Sequence, residues 1–521
     1  MPVRNGVLES YLNPLLTILH EIPSFRKAIY EQQFDTLGFH PRWYRGEPIK
    51  IPEGAATKVK EGHEVDLKLL LEVQRLFAFL DGDSLRSFSS ILNFLKAFPK
   101  EAQKEFHNVE SIYEAYEVFY KVLIKQLEAV GADDVHQFFE SKLYYDETEK
   151  EKSFGMFHVE AEELKSDLYK TIHTILWGED FESTERILTS VSDVVTISFE
   201  PSFHHAPFGI EIPEVFYPQI YTKDFQETIN TLVKEKESTE RERREISKEL
   251  MKLRVYQGKN VTALLDTSVE FLSSESESNK DDKELSDALK DLSSIKDSSK
   301  DKIGELLAKQ DLITESKTSR DPFNINTILK RHGSTPEPYL LTGVIINNTE
   351  FLFLKKPQDL IELENPQWVH VIYDPTTCND LKHQYSNFET IKRSLYGLTR
   401  TQFASSIVLI YVKESTWNSK TDYERSESVK QFIQKDIEEL GKSLELLVPS
   451  SGEESDDNIS DSDSDSDVDA THVEHVELEL TPEETNDLEG LRYSDSANSD
   501  DISKENKENK ENLHSNNPFR D

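Results

Sequence analysis

Cysteine is almost absent from this chain, since Cys378 is the only one in 521 residues. A single thiol can form no internal disulfide and cannot supply the paired cysteines of a zinc ribbon or zinc finger. Cys378 lies in the stretch Asp-Pro-Thr-Thr-Cys-Asn, away from any expected helix start. We therefore interpret it as a loop thiol and not as a nucleophile. The sequence predicts neither a metal site nor a bound cofactor.

Basic residues and long apolar runs are also scarce. The chain has 99 acidic and 60 basic residues and a net charge of −39, which disfavours general binding to nucleic-acid phosphates. No apolar run reaches the roughly 20 residues that a membrane helix needs. The first residues do not have the pattern of a signal peptide. We expect a soluble protein of the cytoplasm or nucleus, with no membrane span and no nucleic-acid partner.

The stretch 5–30 has the pattern of a buried helix. A tight turn at Asn5 and Gly6 precedes apolar residues at helical spacing. These apolar positions are Leu12, Leu15, Leu16, Leu19 and Ile22. The spacing predicts a helix over residues 10–21 that ends before Pro23.

This stretch closely resembles the cysteine box of the ubiquitin-specific protease family. There a Gly is followed by Asn-Thr-Cys-Tyr, by a helix with Leu-Asn-Ser-Leu-Leu-Gln, and by a Pro and a Phe-Arg segment. The residues that match in register are Tyr11, Leu12, Asn13, Leu15, Leu16, Pro23, Phe25 and Arg26. In that register Ser10 takes the place of the nucleophilic cysteine. Leu8 takes the place of the asparagine whose side chain helps to hold the oxyanion.

Both replacements weaken the chemistry. A serine hydroxyl ionises far less readily than a thiol and depends on a general base. Leu8 cannot donate a hydrogen bond, and the loss of one oxyanion donor costs roughly 10²- to 10³-fold in turnover. We therefore interpret Ser10 as the N-cap of the helix, a role that serine commonly has, in preference to a nucleophile.

A second part of the chain resembles the histidine box of the same family. Residues 338–357 predict a β-hairpin around Asn347 and Asn348, 368–375 predict a strand, and 403–413 predict a final buried strand. In the family, the strand after the first turn carries the general-base histidine. Residues 347–353 contain no histidine. Asp374 corresponds to the acid that orients this base, and it has nothing to orient.

The remaining histidines do not fill the vacant position. His332 precedes the first strand of the hairpin and His370 lies on a different strand, so neither fits the register. His204 and His205 are neighbours in an expected loop, where adjacent side chains point to different sides. We interpret these two as surface residues and not as metal ligands.

The family-like domain is interrupted and followed by charged segments. Strongly charged residues with scattered apolar positions predict a solvated helical hairpin, and a stretch of Ser, Asp, Glu and Lys predicts disorder. The predicted divisions are 1–223 and 321–415 for the family-like domain, with thumb helices, zinc-free fingers and palm strands, 224–272 for the helical insertion, 273–320 for the disordered acidic loop, 416–448 for a C-terminal helix and 449–521 for a disordered acidic tail.

Close to the end of the tail stands the tripeptide Asn517, Pro518 and Phe519. This tripeptide resembles the ligand of EH domains in endocytic adaptors, which lies in flexible tails. It makes an EH-domain adaptor a candidate partner.

Taken together, the resemblance implies an α+β, papain-like fold of the ubiquitin-specific protease type that has lost catalysis. The implied function is a binding or regulatory scaffold of the ubiquitin pathway. Its partners would be ubiquitin or ubiquitinated proteins and an active deubiquitinase or ubiquitin ligase. The chain is similar to fungal regulatory subunits of deubiquitinases, whose N-terminal ubiquitin-associated domain has no counterpart in these residues. Two alternatives are an endocytic adaptor that uses a coiled coil and the NPF tail, and an active serine-type hydrolase.

Overall fold

The structure is a computed structural model. It describes residues 11–52, 54–60, 63–132, 134–145, 150–178, 186–200, 209–278, 282–316, 322, 324–356, 367–373, 381–396, 406–420 and 423–445. These residues form a mixed α+β architecture, which agrees with the α+β class expected from the sequence.

The α-helices of the described residues are α1 (Leu12–His20), α2 (Pro23–Tyr30), α3 (Lys68–Leu80), α4 (Leu92–Lys96), α5 (Lys100–Asn108), α6 (Ile112–Ala129), α7 (Val135–Phe139), α8 (Leu168–Trp177), α9 (Lys223–Arg254), α10 (Val261–Ser278), α11 (Lys283–Ser316), α12 (Ile325–His332), α13 (Phe388–Tyr396), α14 (Glu414–Trp417) and α15 (Glu427–Glu445).

The strands are β1 (Thr57–Lys60), β2 (His63–Asp66), β3 (Ser141–Tyr145), β4 (Lys150–Phe154), β5 (Met156–Val159), β6 (Ile187–Ser190), β7 (Val194–Phe199), β8 (Val215–Phe216), β9 (Val255–Tyr256), β10 (Lys259–Asn260), β11 (Tyr339–Asn347), β12 (Glu350–Lys355), β13 (Gln367–Tyr373), β14 (Leu381–Ser386) and β15 (Ile407–Lys413).

Among the described residues, the main sheet has eight strands. Its order is β14, β13, β12, β11, β15, β7 and β5, and β8 pairs with β11 beside that path. The pair of β5 and β7 is parallel and the other pairs are antiparallel. A long insertion separates β8 from β11 in the chain, yet the two strands pair with each other in the sheet.

One face of the main sheet is covered by helices α1, α2, α3 and α6, which share a single core with alternate residues of the strands. Helix α1 comes especially close to β11. A Cβ atom built on Gly343 would lie 2.6 Å from Cγ2 of Ile18, a distance shorter than any real carbon contact. Gly343 therefore allows α1 to rest directly on the backbone of the sheet.

Helix α15 packs on the same helical layer from outside. Its Phe432 ring lies edge-on to Trp43, with ring centroids 5.0 Å apart. The buried carboxylate of Asp436 accepts hydrogen bonds from Trp43 Nε1 at 2.7 Å and from Arg86 Nε at 2.7 Å. A helix was expected over 416–448, and the structure divides this part into α14 and α15.

Helices α9, α10 and α11 form an insertion that we call the arm (Lys223–Ser316). A small core of Ile246, Leu250 and Leu306 joins α9 to α11. Helix α10 has no buried residue, and it is held to α11 partly by Asp266, whose Oδ1 lies 2.8 Å from Lys296 Nζ. Phe225 of α9 stacks on His332 of α12 at a centroid distance of 3.9 Å.

The expectation of disorder in the insertion needs correction. Disorder was expected over 273–320, but residues 283–316 form the helix α11. The reason is a heptad-like spacing of Leu285, Leu289, Leu292, Ile303, Leu306 and Ile313 within a polar composition. Helix α1 ends before Pro23, as the sequence predicts. Pro23 also opens α2 as its first residue, a position that proline favours because its missing N–H is not needed there.

Within the residues that the structure describes, no helix is both long enough and apolar enough to cross a membrane.

Candidate functional site

The first turn of α1 is the place where the sequence puts the former nucleophile. The N-cap residue of α1 is Tyr11, with no capping hydrogen bond from its side chain. Tyr11 is buried, and its carbonyl accepts a hydrogen bond from Tyr116 Oη of α6 at 2.9 Å. Ser10 and Leu8 lie outside the described residues. The N-cap role expected of Ser10 therefore stays a prediction.

The turn between β11 and β12 lies beside this end of α1. Asn347 Oδ1 accepts hydrogen bonds from the Thr349 backbone N–H and from Thr349 Oγ1, both at 2.9 Å. The Tyr373 N–H at the end of β13 donates to the Thr349 carbonyl at 3.0 Å, and Tyr373 Oη donates to the carbonyl of Asn348. Burial raises the pKa of Tyr373, and a hydrogen bond with Asn13 of α1 opposes that rise.

Three segments that are far apart in the sequence therefore meet: the start of α1, the β11–β12 turn and the end of β13. We call this place the convergence site, defined by Asn13, Asn347, Asn348, Thr349 and Tyr373. Its side chains are amides, a hydroxyl and a phenol. None of these groups acts as a general base near neutral pH.

His370 lies on the other face of the main sheet. Its neighbours Val369 and Val371 belong to the core that contains α1, and successive side chains of a strand point to opposite faces. His370 Nε2 lies 3.0 Å from Glu350 Oε1, and its Nδ1 lies 3.2 Å from Gln384 Nε2. This pair therefore does not face the start of α1.

The other residues singled out in the sequence are also away from the convergence site or lie outside the described part. His332 is in α12, where it stacks on Phe225 at the base of the arm. The residues outside the described part are His204, His205, Asp374, Cys378, Asn517, Pro518 and Phe519.

Sequence reasoning missed a cluster of polar and ionisable groups between α6 and the strands β5 and β7. The Tyr113 hydroxyl donates to Glu117 Oε1 at 2.6 Å, and the Tyr113 ring lies 4.8 Å from the His158 ring. His158 Nε2 lies 3.0 Å from Glu200 Oε1. Burial raises the pKa of Glu117, although the Tyr113 hydrogen bond opposes it. The spacing of residues 113, 116, 117 and 120 on one helix face was a signal for this cluster.

A second unexpected cluster surrounds Asp81 at the end of α3. Asp81 accepts from Tyr30 Oη at 2.6 Å and pairs with His20 Nε2 at 2.8 Å, with Arg26 Nη1 at 3.2 Å and with Arg425 Nη2 at 3.0 Å. Burial would raise the pKa of Asp81, but these partners, His20 above all, hold it well below its usual range. No sequence pattern indicates this cluster, because the partners come from α1, α2 and the segment before α15.

No group of three or more His, Cys, Asp or Glu residues in the described part of the chain is arranged to hold a metal ion.

No family model matches the chain. Among curated proteins, it is similar to the UBA domain-containing protein RUP1 of Saccharomyces cerevisiae, with 24% identity over 388 residues. The similar region covers 65% of this chain and 57% of the yeast protein, so it spans little more than half of that relative's length. This similarity connects the chain to a protein whose name places it among UBA domain-containing proteins.

Proposed function

We propose that this protein is a catalytically inactive deubiquitinase-like scaffold of the ubiquitin pathway, built on a papain-like fold of the ubiquitin-specific protease type. The observation that carries the proposal is the convergence site. In the family that the sequence resembles, the nucleophile, the base and the orienting acid come from the start of a helix, the strand after a hairpin turn and the end of the next strand. The corresponding segments of this chain meet at Asn13, Thr349 and Tyr373.

The residue types at these positions support the loss of catalysis. Ser10 replaces the cysteine, and the segment that would supply the base offers Asn347, Asn348 and Thr349. A serine without a general base is a very weak nucleophile near neutral pH. Leu8 in place of asparagine removes an oxyanion donor as well, and this loss alone lowers turnover roughly 10²- to 10³-fold. These losses compound, because the groups of such a site act together.

The similarity to a UBA domain-containing protein supports a place in the ubiquitin pathway. A retained fold with no turnover then acts by binding. We propose that it binds ubiquitin or ubiquitinated proteins and brings them to an active deubiquitinase or a ubiquitin ligase.

The test is a titration of fluorescently labelled ubiquitin with the full chain, followed by anisotropy. Asn348→Arg places a long cation in the convergence site, whereas Asn418→Arg adds the same side chain at an exposed position after α14. We expect saturable binding that Asn348→Arg weakens at least fivefold and Asn418→Arg leaves unchanged. Absence of saturable binding contradicts the ubiquitin-binding part of the proposal.

The inactivity is tested separately with a ubiquitin probe that carries an electrophile at its C-terminus. We expect no covalent adduct after prolonged incubation. An adduct that disappears in Ser10→Ala means that the chain is an active serine hydrolase, and one that disappears in Cys378→Ser means that the loop thiol is the nucleophile.

A further inference from the structure

Strand β14 forms one end of the main sheet. It pairs with β13 along its full length, from Trp368 opposite Ser386 to Tyr373 opposite Leu381, and the register has no bulge. Among the described strands β14 has no second neighbour. Alternate residues of an antiparallel strand direct their N–H and C=O groups away from their partner. The outer edge of β14 therefore offers a row of backbone donors and acceptors.

The side chains along this edge are exposed. Tyr385 is 65% exposed, and Ile372 of the adjacent strand is 40% exposed. Lys382, His383 and Gln384 are also exposed. Natural edge strands are kept from pairing with other chains by being short, bulged or covered, or by carrying charged side chains or proline. Here six residues are extended and regular, and Lys382 is the only residue of the strand with a permanent charge.

The residues around this edge have a net positive charge, whereas the whole protein has a net negative charge. The stretch from β14 through α13, residues 381–396, carries three basic residues and one acidic residue in a chain with a net charge of −39. Lys392 already pairs with Glu211 at 2.6 Å. Lys382 forms no ion pair with any described residue. A carboxylate beside Lys382 would therefore gain a partner without breaking an existing pair.

We propose that β14 is a docking strand for an extended acidic segment of a partner protein, which adds to the main sheet as a further strand. Backbone hydrogen bonds supply the affinity of this mode, and alternating side chains supply its specificity. On one face the added strand lies beside Lys382 and Gln384, which favours Glu or Asp. On the other face it lies beside His383 and Tyr385, which favours apolar residues. The preferred ligand thus alternates acidic and apolar residues.

A second copy of this chain fits the edge less well. Pairing of two β14 strands would bring two copies of Lys382 into one interface, and β14 has no acidic residue to compensate. Like charges close together across a strand pair are destabilising. Charge complementarity therefore selects an acidic partner over self-association.

The probe is a fluorescein-labelled peptide of sequence Leu-Glu-Val-Glu-Leu-Glu-Val-Glu, titrated against the full chain and followed by anisotropy. Two control peptides have Lys in place of every Glu, or Pro in place of both Val residues. The lysine peptide reverses the charge, and the proline peptide lacks two of the backbone N–H donors. We expect the parent peptide to bind saturably, the proline peptide to bind at least tenfold more weakly, and the lysine peptide not to bind.

Protein variants locate the site. Lys382→Glu is expected to weaken the binding of the parent peptide at least fivefold. Lys121→Glu, at a 74% exposed side chain on α6, is the matched control and should change nothing. Hydrogen exchange of peptides that contain β14 should slow when the parent peptide is bound.

The proposal is wrong if the proline peptide binds as tightly as the parent, if Lys382→Glu has no effect, or if no peptide binds. It is also wrong if β14 exchange is unchanged by the peptide. A concentration-dependent dimer of the free chain that Lys382→Glu abolishes would instead assign this edge to self-association.

Discussion

Gly343 is the residue through which α1 reaches the main sheet. A methyl group there would meet Ile18 at 2.6 Å, and α1 cannot move away without opening the core that it shares with β11. We predict that Gly343→Ala lowers the free energy of unfolding by about 1–3 kcal/mol, the usual cost of overpacking a core. Urea unfolding followed by tryptophan fluorescence measures this change.

Gly304 provides the control for Gly343→Ala. It lies in α11 with no heavy atom within 4 Å of the position of a Cβ atom, and alanine is the better helix former. Gly304→Ala should leave the midpoint of urea unfolding, as detected by tryptophan fluorescence, unchanged. Equal stability of Gly343→Ala and the parent would contradict the close approach of α1 to the sheet.

Asp81 is the most heavily bonded carboxylate in the described structure of the helical layer. Its side chain is 3% exposed and contacts His20, Arg26, Tyr30 and Arg425. Removal of one member of a buried ion pair costs about 3–5 kcal/mol, because the remaining charges stay buried. We predict a loss of about 3 kcal/mol at pH 7 for Asp81→Asn. Asp83→Asn removes a more exposed carboxylate that pairs with Arg425 and should cost less than about 1 kcal/mol.

The same residue predicts a pH dependence. The pKa of Asp81 lies below its ordinary value of 3.8, so the unfolded chain binds the proton first as the pH falls. The stabilisation by Asp81 is complete well above pH 3.8 and is lost as the pH falls below it. Unfolding midpoints measured from pH 6 to pH 2.5 should therefore fall more steeply for the parent than for Asp81→Asn. Parallel curves would mean that the pKa of Asp81 is not depressed.

Helix α15 depends on a few inward-facing side chains. Phe432 is 2% exposed and contacts Trp43 and Phe39. Truncation of a buried phenylalanine costs about 3–5 kcal/mol, so we predict that Phe432→Ala destabilises the protein by roughly 3 kcal/mol. Ile437→Ala, at a 40% exposed position of the same helix, should cost less than about 1 kcal/mol. Similar effects of both substitutions on the urea midpoint would contradict the docking of α15 through Phe432.

The elements differ in how far the sequence could predict them. Helices α1, α3 and α6 and the strands around Asn347 follow from apolar periodicity, because each buries one face or one side. Helix α11 was missed because serine and charged residues dominate its composition, and its leucines stabilise a helix only when they pack against α9 and α10. Composition indicates only how the isolated segment behaves, whereas α11 is stabilised by its contacts with α9 and α10.

The candidate site shows the same limit. The positions of Ser10, Leu8 and Asp374 follow from the resemblance to a family, and the contact of Asn13 with Tyr373 brings the neighbouring segments together. The cluster around Asp81 could not be predicted, and for the cluster around His158 only the α6 residues on one helix face were a signal. Asp81 and Arg425 lie 344 positions apart in the chain, and only the tertiary structure brings the members of each cluster together.

At the scale of the whole molecule, the arm (Lys223–Ser316) and the body, which we define as the described residues outside the arm, differ greatly in buried apolar area. The body has a large core of helices and main-sheet strands. The arm has a small core of Ile246, Leu250 and Leu306, and its other buried apolar residues lie in the first part of α9, at Phe225, Ile229, Leu232 and Val233. Helices without extensive packing are only marginally stable in water. We therefore expect the arm to unfold before the body, as a separate cooperative unit.

The distribution of tryptophan makes this separation measurable. All four tryptophans, Trp43, Trp177, Trp368 and Trp417, are buried outside the arm, so fluorescence reports the body alone. Circular dichroism at 222 nm also reports the helices of the arm. We predict that the two signals do not coincide in urea, with an early loss of helix that fluorescence does not detect.

Two variants and a shortened chain test whether the early loss of helix in urea, which we call the early phase, belongs to the arm. Leu306→Ala should move it to lower urea and leave the fluorescence midpoint unchanged, whereas Leu312→Ala, at a 66% exposed position of the same helix, should move neither. Replacement of residues 239–316 by a short Gly-Ser linker should abolish the early phase and keep the fluorescence transition, since β8 and β11 still pair across the insertion. Coincident transitions in the parent, or a shifted fluorescence midpoint in the shortened chain, would mean that the arm and the body fold as one unit, and that the arm stabilises the body to which it is attached.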